Sequence, residues 1–401
     1  MIVRARTIVT MDGPLIHDGA VLVSSGRIAA VARFDDITKH STEEVIDLGE
    51  RLLLPGLINA HCHLDYTALR GKISRPTSFP DWIRAINAEK ENLSDKDYVE
   101  SINAGYSEAQ QFGTTTVANL TAFPELIGQV RPLIRTWWFP ELIDVRDPSK
   151  CDALVDRALD SLKHAQHRGL APHAPFTASP NLFRRCEDVA RDRTTLLTTH
   201  LAESKEEMEM SVNGGGPLRD FLSSLGLELF ECERITPVEH ILRAVGALHD
   251  RWLLVHLNAV SDRDLELLAT LPSKPHIIHC PRSHEYFGHP PFPFEALRKS
   301  GFNICLATDS LASNDDLSLF EEMRKFRQIH PDVCPREVME MITVRPAKAL
   351  HSENSLGRIA QGANADLIAI DDHGHDDAFE NILAHRGKVS WWMVNGTILA
   401  A

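Results

Sequence analysis

The feature that most constrains this chain is an alternation: from residue 52 onward, eight short apolar runs are separated by longer segments with helical periodicity. The runs occupy 53–64, 114–120, 134–142, 169–178, 196–203, 252–258, 276–280 and 302–309. Short continuous apolar runs read as strands buried on both faces, the condition of a parallel sheet covered by helices. Between them, 97–112, 152–167, 181–191, 262–271 and 316–329 mix charged positions with recurring apolar ones and read as helices. Eight strands with helical crossovers predict an α/β fold, a closed (β/α)8 TIM barrel rather than an open sheet.

The flanks have a different texture. Residues 2–9, 20–23 and 27–31 read as short strands, the last after the turn residue Gly26. After a last helix at 336–350, strand-like runs return at 365–370 and 389–399, and they are expected to complete the small β unit begun by the N-terminus. The expected division is 1–52 with 354–401 in the small unit and 53–353 in the barrel. A length of 401 residues suits one large and one small unit, because single cores rarely grow beyond about 250–300 residues. The polar, His-containing stretch 371–377 reads as a surface loop with solvated histidines.

Charge narrows the partners. Against 42 basic residues stand 56 acidic ones, a formal net charge of −14 that disfavours binding to nucleic acid or to anionic membranes. The first ten residues carry no apolar run that reads as a secretory signal or a membrane span, so the expected location is the cytoplasm. The seven cysteines (62, 151, 186, 232, 280, 305 and 334) form no Cys-x-x-Cys pair, and most are expected to be buried thiols.

In a barrel of this kind functional side chains sit at the C-terminal ends of the strands, so the polar residues that close each run are the ones to inspect. Run one ends in His61 and His63, two apart and therefore on one side of a strand, with Cys62 pointing away. Run four carries His173, run five His200 with Glu203 three residues on, run six His256, run seven His279 and run eight Asp309. Three imidazoles and a carboxylate, His61, His63, His200 and Asp309, match the donor preferences of one divalent ion such as zinc, with iron or manganese also suited. Glu203 is placed to accept and return a proton, and His256 to assist it. Glu203 also immediately precedes a helix start at 204–207, where a salt-bridged surface role is the alternative. His173, stiffened by Pro172 and Pro175, is a candidate substrate donor. His279 could line the same cavity, and Trp82 and Glu91 could cover it.

Taken together these stretches resemble the amidohydrolase superfamily, in its one-metal deaminase and chlorohydrolase branch. The resemblance rests on Pro-Gly-Leu-Ile-Asn-Ala-His-Cys-His-Leu at 55–64, His-Ala-Pro at 173–175, His200 with Glu203, His256, and Ala-Thr-Asp-Ser-Leu-Ala-Ser at 307–313. The tail at 356–367 resembles the segment by which such enzymes re-enter a small β-sandwich. The run 169–178 has no lysine to bridge two metals, which matches the one-metal branch. The resemblance implies ligation by His61, His63, His200 and Asp309, proton handling by Glu203 and His256, and a further steering role for Asp309. It implies hydrolytic deamination of an aromatic amino-heterocycle, an adenine-containing nucleoside derivative of the methylthioadenosine, S-adenosylhomocysteine or aminodeoxyfutalosine type. Residues 79–84 and 215–219 are most similar to the last group. Hydrolysis of a cyclic amide or a carbon–chlorine bond, and a non-catalytic scaffold, are the alternatives; a homodimer is the assembly expected from relatives. Where relatives have Asn-Pro-x-Ser-Asn, this chain has Cys280-Pro281-Arg282-Ser283-His284.

Overall fold

The computed structural model describes residues 1–193, 195–227 and 234–399. Cys232 lies outside them. The apolar runs form a parallel sheet of β1 (Leu57–His63), β2 (Thr114–Thr121), β3 (Arg135–Leu142), β4 (His167–Pro172), β5 (Leu196–Leu201), β6 (Trp252–His256), β7 (His276–His279), β8 (Asn303–Leu306) and β9 (Asp309–Ser310). Neighbours pair in sequence order from β1 to β8, and β9 pairs with β1. Only Ala307 and Thr308 separate β8 from β9, so the two ends of the sheet are one interrupted stretch of chain and the sheet curls back on itself.

Helices return the chain between strands. Asp95–Gln111 is an example: Ser94 and Asp97 form a reciprocal capping box at its start, and Ile102, Tyr106 and Ala109 lie buried at helical spacing against the sheet. Along the strands alternate residues face opposite layers. Ala118, Leu120, Phe139, Ala171, Val255 and Ile278 pack together inside the curl, whereas Val117, Trp138, Leu170, Leu254 and Ile277 pack towards helical residues such as Ile102 and Phe183.

Both chain ends meet in a second, eight-stranded sheet. Its segment Arg51–Pro55 runs parallel to Ile2–Ile8 and antiparallel to Leu367–Asp371. The expected first run is therefore divided at Gly56, with one half in each sheet. A Cβ at Gly56 would collide with the Thr115 side chain, so the crossing point has no room for one. The buried side chains of Arg135 and Asp366 form an ion pair that joins β3 to the C-terminal segment. The expected helix at 336–350 is two helices, Pro335–Glu340 and Val344–Ala349, because Thr343 between them leaves helical geometry.

Of the six described cysteines, all free, Cys62, Cys186, Cys280 and Cys305 are buried, Cys151 is half-buried and Cys334 is exposed. No described helix is long and apolar enough to cross a membrane.

Candidate active site

Three strands bring the four expected donors together. His61 and His63 close β1, His200 lies near the end of β5, and Asp309 opens β9. His63 Nε2 is 3.3 Å from His200 Nε2 and 3.7 Å from Asp309 Oδ1; His61 Nε2 is 3.5 Å from the same carboxylate oxygen. Each of these side chains is nearly or wholly buried. Strand alternation alone does not aim them: Ile58 and Ala60 face the inner cluster, and the pairing of β1 with β2 shifts between Asn59 and Cys62, which turns His61 and His63 inward.

The electrostatics favour a cation at this point. Burial pushes the His63 imidazole well below its ordinary range and the His200 imidazole down to about 3, so both are neutral lone-pair donors. The His200 Nδ1 lies 3.1 Å from the His173 carbonyl, which requires the proton on Nδ1 and frees Nε2. Both nitrogens of His61 and the Nδ1 of His63 are buried without a hydrogen-bond partner. Polar atoms left so cost about 1–3 kcal/mol each. Asp309 Oδ2 accepts hydrogen bonds from Ser283 at 2.7 Å and Ser313 at 3.1 Å, which leaves Oδ1 turned to the histidines.

Glu203 and His256 complete the inner wall, with His256 Nε2 3.6 Å from Glu203 Oε1. Burial, then the charges of Asp309 and Glu207, push the Glu203 carboxyl well above its usual range. Its backbone N–H donates to Glu207 Oε2 at 2.7 Å, and the following helix Lys205–Asn213 is capped by Ser204. Thus Glu203 precedes a helix as the sequence reads, yet its side chain faces the cavity rather than solvent. Ala202, His256, Leu257 and Asp309 all have left-handed backbones, with φ of 50°, 79°, 52° and 59°. Such geometry costs about 1–3 kcal/mol at a non-glycine residue and clusters where a side chain must be re-aimed. At His256 it turns inward an imidazole that simple alternation, with Leu253 and Val255 in the inner cluster, would send outward.

His63, His200, Glu203, His256 and Asp309 form one end of a cavity of about 280 Å³. Its outer wall is apolar, with Phe79, Trp82 and Ile83 from helix Phe79–Lys90 and Phe221 and Leu222 from helix Pro217–Ser224. His173 lines the cavity with its Nδ1 2.7 Å from Thr177 Oγ1, and burial brings its imidazole down to about 4. Trp82 is at the cavity as expected and stacks on Phe79.

Two expected residues are elsewhere. Glu91 follows the last residue of its helix and is exposed; Asn87 and Lys90 face the cavity instead. His279 has the outward phase of β7: Ile278 and Cys280 are in the inner cluster, and His279 stacks on Phe292 at 3.9 Å in the helical layer. The sequence reading also missed Glu141, at the end of β3, whose Oε1 is 3.5 Å from His63 Nδ1. Inspection of the polar residue closing the third run, as for the other runs, finds it.

Residues 52–399 match the amidohydrolase family. The chain belongs to that family. A 5-methylthioadenosine/S-adenosylhomocysteine deaminase of Nitratidesulfovibrio vulgaris is 31% identical over 393 residues, which cover 92% of this amidohydrolase and 83% of the relative. Among solved structures, the Helicobacter pylori aminofutalosine deaminase in complex with methylthio-coformycin superposes with a TM-score of 0.84 at 22% identity, covering 100% of both chains. The atrazine chlorohydrolase TrzN from Arthrobacter aurescens TC1, complexed with zinc, gives 0.83 at 20% identity and covers 99% of this chain and 94% of its own. Deaminase and chlorohydrolase thus share the fold, so the fold alone does not choose between them.

Proposed function

We propose that this amidohydrolase is a hydrolytic deaminase of an adenine-containing nucleoside derivative, of the aminodeoxyfutalosine, methylthioadenosine or S-adenosylhomocysteine type, that works with one divalent ion, zinc in the first instance. The fold proposed for it is a (β/α)8 barrel over 53–353 with a small β-sandwich from 1–52 and 354–401. The observation that carries the reading is the convergence of His61, His63, His200 and Asp309 beside Glu203 and His256. Similarity to the Nitratidesulfovibrio enzyme supports the substrate class.

The orphaned nitrogens of His61 and His63 fit a cation, and three imidazoles with one carboxylate are zinc donors. His61, His63, His200 and Asp309 would hold it; a bound divalent ion supplies Lewis acidity that lowers the pKa of water from 15.7 towards about 7. Deamination exchanges the amino group on the ring carbon for the oxygen of water and releases ammonia. Glu203 Oε1 takes one proton from that water, an acceptance that burial favours by raising the carboxyl's affinity for protons, and passes it to the adjacent ring nitrogen; the water's second proton goes to the amino group, which leaves as ammonia as the ring carbonyl forms. His256, whose Nε2 lies 3.6 Å from Glu203 Oε1, is the neighbouring group that would stabilise charge developing on oxygen. With Nδ1 engaged by Thr177, His173 offers Nε2 to the substrate ring. The apolar outer wall excludes water and holds the part of the substrate beyond the sugar.

The test is ammonia release by zinc-loaded protein from a panel of 6-aminopurine nucleosides bearing 5′-thioether or aromatic substituents. Activity on at least one is expected. A protein that holds stoichiometric zinc but releases no ammonia from any of them overturns the reading.

A further inference from the structure

We infer that Glu141 is a positioning residue for the cation site: its carboxylate takes the Nδ1–H of His63 and so holds that imidazole in the tautomer whose Nε2 faces the other donors. The inference rests on the metal-dependent reading above. Each ligating imidazole has two nitrogens, and only one can face the centre. At His200 the backbone carbonyl of His173 makes the choice. At His63 the Nε2 faces His200 and Asp309, so the proton belongs on Nδ1, and there it is buried without a hydrogen-bond partner. The acceptor that faces it is Glu141 Oε1 at 3.5 Å, on a side chain only 7% exposed. That gap exceeds a charge-assisted N–H···O bond by roughly 0.7 Å, which a small rotation of the glutamate closes.

The surroundings leave this task to Glu141. Tyr66 stacks on the flat face of His63, with ring centroids 5.8 Å apart, and its hydroxyl accepts from Lys90 Nζ at 3.0 Å. A stacked ring is held in its plane but not in its tautomer. Glu141 comes from the end of β3 with the inward phase of Trp137 and Phe139, so the strand itself aims it. Its carboxylate also lies within 4.8 Å of nitrogens on His173 and His200, an arrangement that resembles a second ligand set. That set is not independent of the first: with Nδ1 on a carbonyl, His200 has only Nε2 to give, and that nitrogen faces His63 at 3.3 Å. A contact with substrate is the competing role, because Glu141 lines the cavity.

The experiment compares wild type, Glu141→Ala and Glu141→Gln as zinc holoenzymes. It measures zinc affinity by competition with a chromophoric chelator, the melting temperature of the metal-free proteins, and kcat and KM. Loss of a group that orients a ligand typically weakens metal affinity about 10–100-fold, and that is the expectation for alanine, with KM unchanged. Glutamine, whose amide oxygen still accepts from Nδ1–H, should recover most of the affinity. Glu141→Met has similar shape without an acceptor and carries the alanine expectation if alanine unfolds the protein. Wild-type zinc affinity in the alanine and methionine variants overturns the inference: a raised KM would then make Glu141 a substrate group, and a lowered metal-free melting temperature a packing residue. A wild type that takes up no stoichiometric zinc fails the parent reading first, and this one with it.

Discussion

The two ends of the cavity are built on opposite principles. At the inner end every functional side chain comes from a strand terminus, is buried, and is held by unfavourable local features: left-handed backbones, neutralised imidazoles and nitrogens without partners. The outer wall is ordinary apolar packing, in which Phe79, Trp82 and Phe287 pack ring against ring and the Arg84 guanidinium sits 4.8 Å from the Phe221 ring centroid. The inner end is costly to assemble and has one task, whereas the outer wall can be repacked cheaply. On the function proposed above, reaction chemistry and substrate selection would then fall to different parts of the cavity.

Substitutions can break that separation, and the largest effect is expected at the donors. His200→Ala should lose the cation and reduce turnover to background; metal analysis that finds full zinc occupancy would break the comparison at its strongest point. Next, Glu203→Gln should keep its zinc and lower kcat by about 10²–10⁴-fold, the range for a positioned proton carrier. Loss of zinc in that variant would show that Glu203 supports the site rather than moving protons. On the outer wall, Trp82→Ala should raise KM with little change in kcat, a loss of about 10–100-fold in kcat/KM for one apolar contact surface. A fall in kcat at constant KM would mean that the two ends are coupled. The smallest effect is expected at Glu91→Ala, which should leave kcat, KM and zinc content as in wild type because the side chain is in solvent.

The same division explains what could be read without coordinates. The convergence of His61, His63, His200 and Asp309 was legible because parallel strands all place their C-terminal residues at one end. Phase within a strand was not legible: β7 is buried on both faces, and a continuous apolar run carries no alternation to say that His279 looks outward while Cys280 looks in. His256 arrived in the cavity through a left-handed φ, which residue types do not announce. The first run looked unbroken because nothing in Pro55-Gly56-Leu57 separates strands of two sheets; only the close approach to Thr115 does. On the outer wall Trp82 is where the sequence puts it, and Glu91 is not, for another reason. Glu91 keeps helical φ and ψ beyond Lys90, so which of the two faces the cavity depends on the rotational phase of the helix, about 100° per residue, and that phase is set by packing.

The pairing of Arg51–Pro55 with Leu367–Asp371 has a consequence during translation. The N-terminal hairpin strands can zip together as they leave the ribosome, but the edge beside them stays open until some three hundred further residues have been made. At about 5–20 residues per second that wait is on the order of 15–60 s. An uncovered edge is a template for strands of other nascent chains. Chaperone capture in this interval should matter more for the yield of folded enzyme than the stability of the finished molecule.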